Sequence, residues 1–330
     1  MRALDHIVKA GTQGDPFKRN ALFMTLLKPM VAAINGYFGT EVRGWEHVPK
    51  KGPFLIVGNH SGGAVPYDLW FLLGKWLEER GPEAPLYGLT YDLLFASPVA
   101  PLLRRAGLIP ANHGNAQRAL QAGAAVAVFP GGDYEVFRPW TERNRIEFAQ
   151  HRGFIELAIT TGVPVVPMTI HGAHQSTFVL TRGRRLAQLI GLGHVHVHVF
   201  PMVWSIPFGP VPAFVPSLNL PAKVTVEFGK PLDWSRYGRL RAQDPRVLAH
   251  CYNQITTIMQ ATLDRLAREH PYPVVSRLRE LSPLRLLDQP TNAAHPATRA
   301  RARSRHQTRR LERGVGREAA RQVTGAEAVL

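Results

Sequence analysis

Cysteine is almost missing from this chain of 330 residues, Cys251 being the only one. No intramolecular disulfide and no cysteine-rich zinc site can form, so an ordinary apolar core must hold the fold. Long apolar runs are missing too. A membrane span needs about 20 consecutive apolar residues, and the two nearest approaches are interrupted. Asn20–Phe38 carries Lys28 and Pro29 in its middle, and Val199–Leu220 holds five prolines, which no ordinary helix accepts. Asp5 and His6 stand where a signal peptide would need an apolar run, so the sequence reads as non-secreted. Three familiar signatures are absent: the G-x-S-x-G elbow of serine hydrolases, the G-x-x-x-x-G-K-[ST] phosphate loop, and G-x-G-x-x-G after a strand. Their absence argues against the commonest α/β enzyme classes. Acidic residues are scarce, 24 against 40 lysines and arginines, and the formal charge is +16. Such a surface attracts polyanions, either nucleic acid or an anionic membrane.

What the chain does contain is a core. At 45% hydrophobic and 19% charged residues it is too apolar for wholesale disorder. From Asp15 to Phe38, Leu22, Leu26, Leu27, Val31 and Ile34 recur at helical spacing beside Lys18, Arg19 and Lys28. This predicts a basic amphipathic helix, bent at Pro29, which either lies in a lipid interface or packs on the core. Short apolar runs then alternate with helical stretches. Phe54–Val57, Leu86–Leu89, Ala125–Phe129, Val165–Ile170, Val195–Phe200 and Val224–Phe228 read as strands. Helices are expected near Tyr67–Glu79, Asp92–Ala106, Asn115–Ala122 and Gly153–Thr161, with a long one from Pro245 to Arg268. The alternation predicts an α/β fold with a mostly parallel sheet flanked by helices. Ligands of such sheets bind beyond the carboxyl ends of the strands, so the loops after Val57, Phe129 and Ile170 are the places for chemistry. Cys251 falls on the apolar stripe of the long helix and reads as a buried structural thiol. From Pro283 to Leu330 ten arginines face four acidic residues, a basic and mobile tail.

Two loops carry candidate chemistry. The first strand runs into Gly58-Asn59-His60-Ser61-Gly62-Gly63-Ala64-Val65-Pro66-Tyr67-Asp68. Imidazole is the side chain suited to exchanging a proton near neutrality, and a carboxylate on its second nitrogen fixes the tautomer. The alternative is a histidine capping the next helix, with Asp68 an ordinary first-turn acid. The second loop is Phe129-Pro130-Gly131-Gly132-Asp133-Tyr134-Glu135, whose paired glycines either present N–H groups to an oxyanion or simply turn the chain. His194, His196 and His198 alternate with valines and share one strand face, a pattern open to metal binding. No acid or cysteine nearby supports such a site, and a polar exposed face is the simpler reading; no metal is expected.

Taken in order, these segments resemble the glycerolipid acyltransferases, the lysophosphatidic acid acyltransferase-like group. The resemblance spans Val42–Ile170: Trp45–His60 is similar to the lead-in to the family's first block, and Arg152–Pro167 to the helix and strand after its last. That block is usually His-x4-Asp, whereas seven residues separate His60 from Asp68 here; an excursion through Gly62, Gly63 and Pro66 would return the acid. The second block commonly ends in a phosphate-binding arginine, where Gly107–His113 supplies a histidine. The third, often Phe-Pro-Glu-Gly-Thr-Arg, is Phe129–Glu135 in a form similar to the monoacylglycerol and diacylglycerol acyltransferase-like branch.

The resemblance implies a glycerol-phosphate acyltransferase-like fold over residues 42–282, behind a membrane-facing helical segment (1–41) and before the basic tail (283–330). It implies transfer of a fatty acyl group from acyl-CoA or acyl-carrier protein to a hydroxyl of a lysophospholipid, acylglycerol or related lipid. No bound cofactor is expected. His60 would be the general base and Asp68 its partner; Gly131, Gly132 and Glu135 would form the oxyanion and acyl-donor loop. Asn59, Arg104, Arg105, His113, Arg118 and Arg138 would bind acceptor or phosphate. The expected partners are membrane lipids and the acyl carrier, not nucleic acid, and the expected place is the cytoplasmic face of a membrane, peripherally held. The N-terminal helix, the Trp204–Phe214 stretch and the tail are the expected lipid contacts. The alternative is a basic lipid- or nucleic-acid-binding protein without transferase activity.

Overall fold

The computed structural model describes residues 15–62, 67–190, 199–205, 208–213, 215 and 219–282. The expected strand Val195–Phe200, the histidines at 194, 196 and 198, the excursion at Gly63–Pro66 and the tail from Pro283 lie wholly or mainly outside them. The strands are β1 (Glu41–Arg43), β2 (Phe54–Gly58), β3 (Leu86–Thr90), β4 (Leu108–Pro110), β5 (Ala125–Val128), β6 (Val165–His171), β7 (Phe178–Thr181), β8 (Met202–Ser205), β9 (Gly209–Pro212) and β10 (Thr225–Phe228). Seven form one sheet in the order β1-β10-β6-β2-β5-β3-β4. From β6 to β4 the pairing is parallel, while β10 runs antiparallel to β6 and carries β1 parallel to itself. A separate antiparallel sheet, β7-β8-β9, has no counterpart in the expected elements.

The helices are α1 (Ala21–Phe38), α2 (Asp68–Glu79), α3 (Ala100–Arg105), α4 (His113–Gln121), α5 (Gly132–Val136), α6 (Gly153–Thr161), α7 (Arg184–Leu189), α8 (Pro245–Glu269) and α9 (Pro273–Leu281). Period-2 alternation along the strands divides them between the two faces. Leu55 and Val57 of β2 join Ala119 of α4, Ile155 of α6 and Ile255 of α8 in one core; Phe54 and Ile56 join Val31 of α1 and Phe71 of α2 in the other. The strands between are buried on both sides, which explains runs such as Phe54–Val57 with no polar alternation.

Local chemistry corrects two boundaries. The first helix starts at Ala21, not Asp15, because Asn20 caps it, its Oδ1 accepting the Phe23 N–H at 2.8 Å. It continues through Pro29, whose side is exposed. The single helix expected over Asp92–Ala106 is a 3-10 turn, Asp92–Ala96, followed by α3, because Pro98 holds Ser97 in an extended conformation. Cys251 is fully buried, and burial pushes its thiol up to about 11. Among the described residues α1 is the one helix long and apolar enough to cross a membrane, by length and composition.

Candidate active site

β2 ends at Gly58, and the next residues fold over the carboxyl edge of the sheet. Asn59 is buried and anchors this turn: its amide donates to Ile170 O at 2.9 Å and accepts Ile170 N–H at 2.7 Å. His60 follows, its side chain 16% exposed, and its Nδ1 lies 2.5 Å from Oδ2 of fully buried Asp68. The Ser61 N–H reaches both Asp68 oxygens at 3.1 Å, and the Ser61 hydroxyl donates to Oδ1. The seven-residue spacing therefore does close the pair. Asp68 opens α2 yet turns its carboxylate back to the loop, which excludes the helix-capping alternative. Facing a carboxylate, Nδ1 is the protonated nitrogen, so Nε2 keeps its lone pair. Among the described residues nothing hydrogen-bonds to Nε2.

The loop after β5 covers the imidazole. Phe129 stacks on it, centroids 4.8 Å apart and planes at 22°. The stack depends on Gly58, where a Cβ would lie 2.7 Å from the Phe129 ring and 2.8 Å from Met168. Beneath it is a buried ion pair. Glu135 accepts the His60 N–H at 2.8 Å and the Glu147 N–H at 3.0 Å, one on each oxygen. Arg138 donates to His60 O at 2.7 Å and to Glu135 O at 3.1 Å, its guanidinium 3.7 Å from the Glu135 carboxylate. His60 is thus held at both its N–H and its C=O by one acid–base pair. Burial pushes the Glu135 carboxyl up to about 7, against the pull of Arg138 and the two amides. His174, buried behind Gly62, donates from Nε2 to Arg138 O at 3.0 Å. Burial and the neighbouring arginines hold it well below the usual histidine range.

Several expected site residues stand elsewhere or do something else. Glu135 and Arg138 are fully buried in the His60 support and offer nothing to a phosphate. Both amide groups of Asn59 are committed to β6. Gly132 (φ +51°) starts α5 in the left-handed region, where glycine alone is unstrained, and its N–H turns back to Phe129 O at 3.2 Å. Gly131 is required for a different reason: a Cβ there would meet Glu135 Cβ at 2.3 Å and Glu147 O at 2.6 Å. Arg104 and Arg105 end the crossover helix just before β4, on the amino-terminal side of the sheet, opposite His60. Arg118 lies within α4, stacked over Phe17 at 4.6 Å and 3.5 Å from Asp15. His113, first residue of α4 beyond the end of β4, shares the carboxyl edge with His60, as do Asn59 and the buried Arg138. Three strand spacings separate β2 from β4, roughly 14 Å. Ser61, Phe129 and His174 belong to the constellation although no motif in the sequence singles them out. Phe129 and His174 were findable as the residues following β5 and β6.

Residues 39–171, which contain His60, Asp68, Phe129, Glu135 and Arg138, match the family model described as Acyltransferase. An uncharacterized protein of Mycobacterium tuberculosis is 32% identical over 253 residues, covering 76% of this chain and 67% of that protein. The human DGAT1/2-independent enzyme synthesizing storage lipids is 31% identical over 135 residues, 40% of each chain. Phytyl ester synthase 2 of Arabidopsis thaliana is 28% identical over 142 residues, 41% of this chain and 20% of that one. The crystal structure of the 1-acyl-sn-glycerophosphate acyltransferase PlsC from Thermotoga maritima superposes with a TM-score of 0.44 at 17% identity, covering 74% and 79% of the two chains. The chain belongs to the acyltransferase family; two of these relatives are named for synthesizing storage lipids and for phytyl ester synthesis.

Proposed function

We propose that the protein transfers a fatty acyl group from a thioester donor, acyl-CoA or acyl-carrier protein, to the hydroxyl of a lipid acceptor. The observation that carries this reading is the His60–Asp68 pair at the end of β2, with Nε2 unencumbered. Nε2 takes the acceptor's hydroxyl proton as the oxygen attacks the thioester carbonyl. Asp68 keeps Nδ1 protonated and stabilises the imidazolium that forms. Collapse of the tetrahedral intermediate expels the thiolate, which receives that proton from His60, so no covalent enzyme intermediate is needed. Gly131 offers the remaining backbone N–H of the glycine pair, unpartnered among the described residues, for the oxyanion; such a donor contributes about 3–4 kcal/mol in comparable sites.

Glu135 and Arg138 act through His60 as positioning residues, fixing its peptide on both sides. The acceptor reading favoured here is a neutral lipid alcohol such as an acylglycerol. The arginines available in the second block lie away from His60, and the named curated relatives are a storage-lipid enzyme and a phytyl ester synthase. The protein meets these substrates at a membrane, held peripherally through α1. Leu22 and Leu26 are 69% and 68% exposed on one side of α1, in line with Met30 and Tyr37, while Met24, Val31 and Phe38 fix the other side in the core. A helix docked in this way suits a position in the interface.

The test is acyl transfer from a labelled long-chain acyl-CoA to lysophospholipids, monoacylglycerol, diacylglycerol and long-chain alcohols. Wild type should esterify a neutral acceptor, and His60→Ala should lower the rate roughly 10²–10⁴-fold. Full activity in that variant would remove the general-base assignment.

A further inference from the structure

The second sheet turns one face away from the core. Phe178 of β7 stands directly opposite Trp204 of β8, and Trp204 opposite Pro210 of β9, so three apolar residues form one row across the strands. Their neighbours Val179 and Val203 point inward and are fully buried. The outward row is open: Trp204 is 52% exposed, and Phe208, at the β8–β9 turn, 66%. Trp140 packs on Phe178 with centroids 4.8 Å apart, extending the aromatic surface toward the loop that covers His60. Arg182, which follows β7, donates to Tyr134 O at 3.0 Å and ties the sheet to that same loop. After β7, beyond Arg182 and Gly183, α7 and its C-cap Ile190 expose Leu186, Leu189 and Ile190 together with Arg185 and with Arg184, whose guanidinium lies 5.6 Å from the Tyr134 ring.

We infer that this face is a bilayer-contacting platform separate from α1, in which Trp204 and Phe208 enter the headgroup region and Arg184 and Arg185 meet lipid phosphates. Exposed aromatics bordered by arginines are the composition that an interface accepts, with an apolar body below and charge above. Charge complementarity selects an anionic bilayer as the occupant. A second copy of this chain would bring Arg184 and Arg185 against themselves, on a molecule of formal charge +16. Because the sheet is tied to the loop over His60, contact here would set the site at the height of the acceptor's hydroxyl. That last consequence rests on the acyltransferase reading; the contact itself does not.

The experiment is co-sedimentation of the full chain with phosphatidylcholine vesicles, with and without phosphatidylglycerol. It uses Trp204→Ser/Phe208→Ser, Arg184→Glu/Arg185→Glu and, as a separate contact, Leu22→Ser/Leu26→Ser. All six positions are exposed, and urea midpoints should match wild type. The aromatic pair should weaken binding to both vesicle types by roughly tenfold. The arginine pair should do so only with phosphatidylglycerol and only at low salt. Unchanged partitioning in both pairs overturns the platform. So does loss of a dimer, read by light scattering, with vesicle binding intact, which would give the face to a second copy. If the chain proves to have no acyl-transfer activity while these variants still lose vesicle binding, the platform stands and the reaction assigned to the site does not.

Discussion

At the residue scale the site depends on placing one imidazole. The Glu135–Arg138 pair holds the His60 peptide without touching its ring, so changing the pair should alter turnover more than substrate affinity. Glu135→Gln keeps the shape but has a single acceptor oxygen, so one of the two amide N–H groups, of His60 or of Glu147, loses its partner. We expect kcat to fall at least tenfold with KM nearly unchanged, measured with whichever acceptor the panel assay selects. Arg138→Ala is harsher, since it strands a buried carboxylate; breaking a buried pair costs about 3–5 kcal/mol. Denaturant midpoints should separate it clearly from Arg105→Ala, which removes an exposed side chain. His60 and Asp68 were legible in the sequence because a strand ran straight into them. The roles of Glu135 and Arg138 were not. A carboxylate next to a glycine pair, and an arginine beyond it, look the same in sequence whether they face a ligand or are sealed beneath the loop.

At the element scale, legibility followed periodicity. β2, β5, β6 and α8 are buried on continuous stripes and were visible as such. β1 and β4 have three residues each, too short for a period to show, and β9 contains two prolines that argue against a strand until its edge position is known. For α1, sequence pattern left open whether its apolar residues face core or lipid; the structure buries Met24, Val31 and Phe38 on one side and leaves Leu22 and Leu26 exposed on the other. The prediction is correspondingly two-sided. Met24→Ala, in the core, should cost about 2–5 kcal/mol of stability. Leu26→Ser, on the outer side, should leave the denaturation midpoint within about 0.5 kcal/mol of wild type and reduce vesicle binding instead.

At the scale of the whole molecule, acid should unfold the protein early. His171 is buried and held down to about 4, and His174 is depressed as well. Between the ordinary histidine value near 6.5 and about 4, the unfolded chain takes up protons that the native state refuses. Stability is therefore present above pH 6.5 and lost as pH falls through that window, by up to about 1.4 kcal/mol per pH unit for each histidine. Glu135, raised to about 7, works in the opposite sense, binding a proton in the native state between about 4.5 and 7, and offsets about one of the two histidines. Urea titrations at pH 7.5, 6 and 5 should show falling midpoints. His174→Gln, whose amide can still donate to Arg138 O, should flatten the trend by about one proton.

The order of strands also dictates when the molecule can be finished. β1 leaves the ribosome early, yet its neighbour in the sheet is β10, and β10 is also what covers the β6 edge beside His171. Until Thr225–Phe228 has been synthesised, the α1–β1 hairpin has no sheet to join. The inner side of α1 is covered earlier, because its partners Phe54, Ile56 and Phe71 precede β10 in the chain, whereas Leu22 and Leu26 stay open throughout. If α1 rests in a lipid interface as proposed, a bilayer close to the ribosome would cover that outer side during synthesis as well and guard the precursor against aggregation.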